Sequence, residues 1–98
     1  MGARISIRID LASGERIGPG KVRLLELIDE TGSISAAGRA MGMSYRRAWL
    51  LVDSLNRALG APLVTTQQGG ASGGGARLTR LAHQVIARYR AIEAEAEA

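Results

Sequence analysis

The residues best equipped for chemistry in this 98-residue chain are Ser44, Tyr45, Arg46 and Arg47, together with the glycine run Gly69-Gly70-Ala71-Ser72-Gly73-Gly74-Gly75 further on. Adjacent arginines present planar N–H forks that match phosphate oxygens and guanine edges. A serine hydroxyl and a tyrosine phenol beside them add hydrogen-bonding capacity. This is the chemistry of binding, not of bond making. His83 is the only histidine, and no carboxylate is spaced to form an acid–base dyad or a metal site with it. His83 therefore reads as a surface or interface residue. The chain has no cysteine, which removes disulfides, thiolate ligands and cysteine nucleophiles together. The glycine run lacks the Lys-Ser/Thr ending of a nucleotide P-loop and the G-x-G-x-x-G strand-to-helix pattern. The expectation is a protein that is not an enzyme and requires no metal and no cofactor.

The charge balance names the first partner to consider. There are 13 basic residues and 9 acidic ones, a formal net charge of +4, and three of the acids (Glu93, Glu95, Glu97) lie in the last six residues. Everything before them is more basic still, and all but Lys21 of the basic residues are arginine. Nucleic acid is the leading partner, although an acidic protein or a membrane surface satisfies charge alone. No apolar run approaches a membrane span, and Met1 to Asp10 alternates polar and apolar residues without the core of a signal peptide. A cytoplasmic protein with no membrane partner is expected.

These residues must be held by a small scaffold. Ninety-eight residues suffice for one domain over 1–98, with an aliphatic core of modest size that a dimer interface would supplement. Ile5, Ile7 and Ile9 alternate with Ser6, Arg8 and Asp10, the period of a half-buried strand, and Ser13-Gly14 turns the chain so that Glu15 to Ile17 returns as a short second strand. Pro19 suits a helix start, Val22, Leu24, Leu25, Leu27 and Ile28 form its apolar face, and Gly32 ends it near Thr31. A short helix follows between Ser33 and Gly42 with Ser35 as its N-cap, then a third from Tyr45 to Leu59 with Ser44 as N-cap and a stripe of Ala48, Leu51, Val52, Leu55 and Leu59. Pro62 prevents continuation. Leu63 to Thr66 and Ala76 to Leu78 are β-prone and flank Gln67 to Gly75 as a hairpin, and a final helix begins near Thr79 and runs to about residue 95. The fold class is mainly α with a small β component. Strand or hairpin, three helices, a β wing at about 63–78 and a C-terminal helix follow in the order of a winged helix-turn-helix.

Within this order Gly38 and Gly42 carry the helix-turn-helix assignment of 33–59. Two helices crossing steeply need a very small residue at their approach and a residue tolerant of a left-handed turn between them. An ordinary packed helix pair is the competing reading of Ile34 to Leu59. Charge placement favours the first, because Arg46 and Arg47 occupy the first turn of the third helix, where cations oppose the helix dipole. A phosphate or base edge would account for them. The candidate DNA-binding residues are Ser35, Ser44, Tyr45, Arg46, Arg47, Gly73, Gly74, Arg77 and Arg80, the glycines letting the wing backbone approach sugar and phosphate. A flexible connector is the plainer reading of the glycine run. Trp49 is read as a packing anchor ahead of a DNA contact.

The segments Thr31-Gly32-Ser33-Ile34-Ser35-Ala36-Ala37 and Gly42-Met43-Ser44-Tyr45-Arg46-Arg47-Ala48-Trp49, then Leu63-Val64, the glycine-rich wing and Leu78-Thr79, resemble the N-terminal DNA-binding domain of ModE-type molybdate-responsive regulators, relatives of the LysR-type helix-turn-helix. The resemblance covers about residues 5–92. It implies a homodimer that binds a pseudo-palindromic operator in double-stranded DNA and regulates transcription. Regulators of this type carry C-terminal oxyanion-binding domains, which these residues do not include, so the expectation is either a stand-alone member that senses nothing itself or one that acts with a separate sensor protein. Ile17, Leu24, Val85, Tyr89 and Ile92 are the candidates for the dimer interface. The alternative is a winged-helix protein-interaction module or accessory subunit without sequence-specific DNA binding.

Overall fold

Pro19 and Gly32 bracket the helix on which the rest is assembled. In the computed structural model, which describes residues 4–67 and 75–98, helix α1 spans Pro19–Thr31, with Pro19 in its first turn and Gly32 at its C-cap donating its N–H to Ile28 O at 2.8 Å. Val22, Leu24, Leu25 and Ile28 are fully buried. The helix is thus a central strut, with other elements on most of its apolar circumference.

Before it, β1 (Ile9–Asp10) pairs antiparallel with β2 (Arg16–Ile17). The expected alternation holds from Ile5 to Asp10, isoleucines half-buried and their neighbours exposed. The ladder is nevertheless only two residues long, because the returning strand reaches Gly18 and the start of α1 after Ile17.

Helix α2 spans Ile34–Ala40 and helix α3 Tyr45–Ala58. The N-cap of α2 is Ser33 and not Ser35: Ser33 is extended and its hydroxyl accepts from Ala36 N at 3.0 Å. Burial of Ile34 decides this, since capping at Ser35 would place that buried side chain outside the helix. Ser44 caps α3 as expected, accepting from Arg47 N at 3.1 Å. A Cβ built on Gly38 would stand 2.9 Å from Ala48 Cβ, so the crossing of α2 and α3 requires glycine there, and Gly42 takes φ +71° in the turn between them. Leu59, expected in the buried stripe, is 40% exposed because α3 ends at Ala58 and the chain turns away at Gly60.

Strands β3 (Val64–Gln67) and β4 (Gly75–Leu78) form the wing hairpin in the register Val64 with Leu78 and Gln67 with Gly75. Asn56 of α3 anchors its base, its Oδ1 accepting from Leu63 N and Val64 N at 2.8 and 2.9 Å and its Nδ2 donating to Val64 O at 3.1 Å. Ala76 N donates to Gly32 O at 2.9 Å, which ties the second wing strand to the end of α1. Helix α4 (Arg80–Glu97) is capped by Thr79, whose hydroxyl accepts from Ala82 N at 3.2 Å. Glu26 of α1 accepts two hydrogen bonds from Arg90 of α4, at 2.8 and 3.0 Å, while Arg90 also donates to Glu93 at 2.6 Å. The Arg90 hydrogen bonds hold the Glu26 carboxyl below the usual carboxylate range, and partial burial opposes them.

Three of the residues expected at a dimer interface are almost wholly enclosed within the protomer. Ile17, Leu24 and Tyr89 are 3%, 0% and 1% exposed inside the protomer's own core. Tyr89 is held there by its hydroxyl, which donates to Ile7 O at 2.6 Å. Leu24 has no surface to offer a second copy, whereas Ile17 and Tyr89 reach the surface only at the floor of an apolar groove that Val85 also lines. Val85 is half-buried and Ile92 is 44% exposed, so these two retain accessible surface.

Candidate nucleic-acid interface

The interface is built outward from the first turn of α3. That turn holds no acidic residue, and neither Arg46 nor Arg47 forms an ion pair among the described residues. Two exposed cations at the positive end of a helix dipole lower its stability. Their positions are well suited to an anion or a polar base edge approaching from outside.

Successive helical residues point about 100° apart, so the expected residues divide among separate surfaces. Ser35 and Tyr45 share a shallow groove of about 320 Å³ with Ile34, Trp49, Thr66, Gln67 and Gly75. This groove lies between the start of α2, the first two turns of α3 and the near end of the wing. Ser35 is half-buried and its Oγ accepts from Arg39 Nη1 at 3.2 Å, which places a further arginine beside the groove. Tyr45 is 59% exposed and meets Trp49 edge to face, with ring centroids 6.1 Å apart and an interplanar angle of 73°.

Arg47 turns to the other flank. There it lines a larger depression of about 630 Å³ with Arg8, Arg16 and Lys21, floored by Met41, Met43 and Leu51. Lys21 is partly committed, donating to Arg16 O at 2.7 Å and to Ser54 Oγ at 2.9 Å. Arg77, on β4 opposite Thr65, lines a third groove with Asp29 and His83 at the base of the wing. His83 Nε2 lies 3.8 Å from Asp29 Oδ1, both side chains about half exposed. Arg80 is exposed in the first turn of α4. Gly73 and Gly74 lie outside the described residues.

Two groups of residues escaped sequence reasoning. Trp49, read as a packing anchor, is 37% exposed, and Leu50 beside it is 52% exposed. The spacing held the signal, because Tyr45 with Trp49 and Arg46 with Leu50 are i,i+4 pairs on the face opposite the buried stripe. Thr66 and Gln67 also reach the groove, which only the wing register reveals. Among the described residues no group of three or more His, Cys, Asp or Glu could hold a metal ion, and no helix is long and apolar enough to cross a membrane.

Comparison with known proteins supplies the context for this geometry. The chain is 51% identical over 82 residues to the molybdenum-pterin-binding protein MopB of Rhodobacter capsulatus, an alignment covering 84% of this chain and 30% of that protein. It is 39% identical over 93 residues to the molybdenum transport protein ModE of Azotobacter vinelandii, covering 95% of this chain and 34% of that one. It thus spans about a third of the length of these relatives. The protein of a solved CbnR_DBD–DNA complex superposes with a TM-score of 0.60 at 21% identity, over 79% of this chain and 83% of that one, a likeness of fold. Residues 20–83, from α1 through the wing to the start of α4, match the family described as bacterial regulatory helix-turn-helix protein, lysR family. The chain belongs to the lysR family of bacterial regulatory helix-turn-helix proteins.

Proposed function

We propose that this chain is the sequence-specific DNA-binding part of a transcriptional regulator, inserting α3 into the major groove of double-stranded DNA while the wing follows the backbone beside it. The observation that carries this reading is the pair of unneutralised arginines, Arg46 and Arg47, in the first turn of α3 beside a groove that the wing completes. Arg46 faces base edges together with Tyr45. Arg47, grouped with Arg8, Arg16 and Lys21, serves phosphates. The molybdenum in the names of both relatives, taken with the regulatory family, supports a place in molybdenum-related gene control.

We further propose a homodimer on a pseudo-palindromic operator. Supporting it is the apolar groove of Ile9, Leu11, Leu59, Leu81 and Val85 between the N-terminal hairpin and α4, with the nearly buried Ile17 and Tyr89 also in its lining and exposed Ile92 further along that helix. Packing a second copy there sets two recognition helices about one DNA turn apart. Molecular mass in solution tests this part: a monomer at micromolar concentration contradicts the dimer without touching the DNA contact.

The test of the DNA reading is substitution of each arginine, measured on a duplex the protein itself enriches from a random pool and on a scrambled duplex. Arg46→Ala is expected to lose about 1–3 kcal/mol on the enriched duplex and far less on the scrambled one. Arg47→Ala is expected to weaken both equally. A protein-interaction module would instead bind both duplexes weakly and respond to neither substitution.

A further inference from the structure

The outward face of α3 has the wrong composition for a surface helix. Ala48, Val52, Leu55 and Ala58 are buried, so the opposite side carries Tyr45, Arg46, Trp49, Leu50 and Asp53. A solvated face is normally polar. Here Tyr45 is 59% exposed, Trp49 37% and Leu50 52%, and these are three of the five large exposed hydrophobics among the described residues. The Tyr45–Trp49 edge-to-face contact holds both rings in place, and Trp49 also walls the groove that ends at Thr66 and Gln67. Only one acidic residue lies on this side, Asp53, a turn further along and 3.3 Å from Arg57. The result is an ordered apolar strip flanked by free arginines.

Base edges in the major groove are polar with one exception, the 5-methyl group of thymine. An apolar strip seated among unpaired cations fits a surface that is anionic overall and carries isolated methyl groups. A second copy of this face fits it poorly, since its arginines would meet arginines with no acid in the first two turns to pair them. We propose that Trp49 and Leu50, braced by Tyr45, read thymine methyl groups and so determine part of the operator sequence. This rests on the DNA-binding reading above and adds which bases are read and by which side chains.

The experiment uses the duplex that the wild-type protein enriches from a random pool. Each thymine is replaced in turn by deoxyuridine, which keeps every hydrogen-bonding group and deletes only the methyl. Wild-type protein is expected to lose about fourfold in affinity at each methyl it covers, the equivalent of one buried methylene. Trp49→Ala and Leu50→Ala are expected to bind the thymine duplex more weakly and to show no further loss with deoxyuridine at the position each one reads. Leu50 is 52% exposed, so its truncation leaves the core intact; Trp49 is only 37% exposed, so its variant counts only with cooperative melting and unchanged affinity for a scrambled duplex. Indifference of the wild-type protein to every thymine methyl overturns the inference and leaves DNA binding standing, as does an undiminished deoxyuridine effect in both variants. Failure to enrich any duplex overturns both readings.

Discussion

Replacing Gly38 by alanine puts the geometry of the helix crossing to a quantitative test. The added methyl would stand 2.9 Å from Ala48 Cβ and 3.5 Å from Met43 Cγ. Carbon atoms prefer separations of about 3.5–4.0 Å, so α2 and α3 must part by about 0.6 Å. Ala48 is fully buried and has no rotamer to change, so the strain falls on backbone. Overpacking of this kind costs up to about 3 kcal/mol, and exchanging glycine for alanine in a helix returns about 1 kcal/mol, leaving a net loss of about 2 kcal/mol. In a domain of this size that is a fall of about 8–16 °C in Tm. Urea denaturation of Gly38→Ala, Ala48→Gly and the double variant measures it. Ala48→Gly alone costs about 2 kcal/mol, about 1 from helix propensity and about 0.8 from the lost buried methyl. In the Gly38→Ala background it removes the clash, so the two effects are expected to be non-additive by about 1 kcal/mol or more. A neutral Gly38→Ala, or additivity within about 0.5 kcal/mol, would refute the close approach as the reason for that glycine.

Asn56→Ala strips the wing base of three hydrogen bonds and leaves two backbone N–H groups to find water, a loss of about 1–3 kcal/mol by urea denaturation; a loss under about 0.5 kcal/mol would mean that the wing is held by other contacts. Acid should weaken the α1–α4 joint in a defined direction. The Glu26 carboxyl is depressed in the folded state, so its contribution is complete at neutral pH and is lost as pH falls through that depressed value, below the ordinary carboxylate range. Glu26→Gln should remove this component and flatten the acid limb of stability against pH, and an unchanged limb would exclude Glu26 as its source. Arg77→Ala and Arg80→Ala, at the base of the wing, are expected to weaken enriched and scrambled duplexes alike and to reduce the slope of log Kobs against log salt by about 0.9 each. A loss confined to the enriched duplex would reassign that arginine to base reading.

How much of this was legible beforehand follows from what local sequence encodes. Pro19 and Gly32 delimited α1 because both act on the backbone of their own turn. Gly38 and Gly42 marked the helix crossing for the same reason. The N-cap of α2 was misplaced by two residues since Ser33 and Ser35 are equally good caps in isolation, and burial of Ile34 chose between them. Helical periodicity shows that a face is apolar without showing what covers it. Leu24 therefore reads as a dimer contact although the protomer's own elements enclose it, and Ile17 and Tyr89 are covered but for the floor of one apolar groove. Conversely Trp49 passed for a packing anchor although nothing encloses it fully. The separation of Arg47 from Tyr45 followed from helical rotation, but the partners on each side, the N-terminal hairpin and the wing, come from distant parts of the chain.

The central claim, that α3 and the wing read duplex DNA by sequence, is tested most directly by fluorescence anisotropy of the wild-type protein on its own enriched duplex and on a scrambled duplex, each at two salt concentrations. The enriched duplex is expected to bind at least about a thousandfold more tightly, with both affinities falling as salt rises. Equal affinity for the two duplexes, or binding indifferent to salt, would contradict the account.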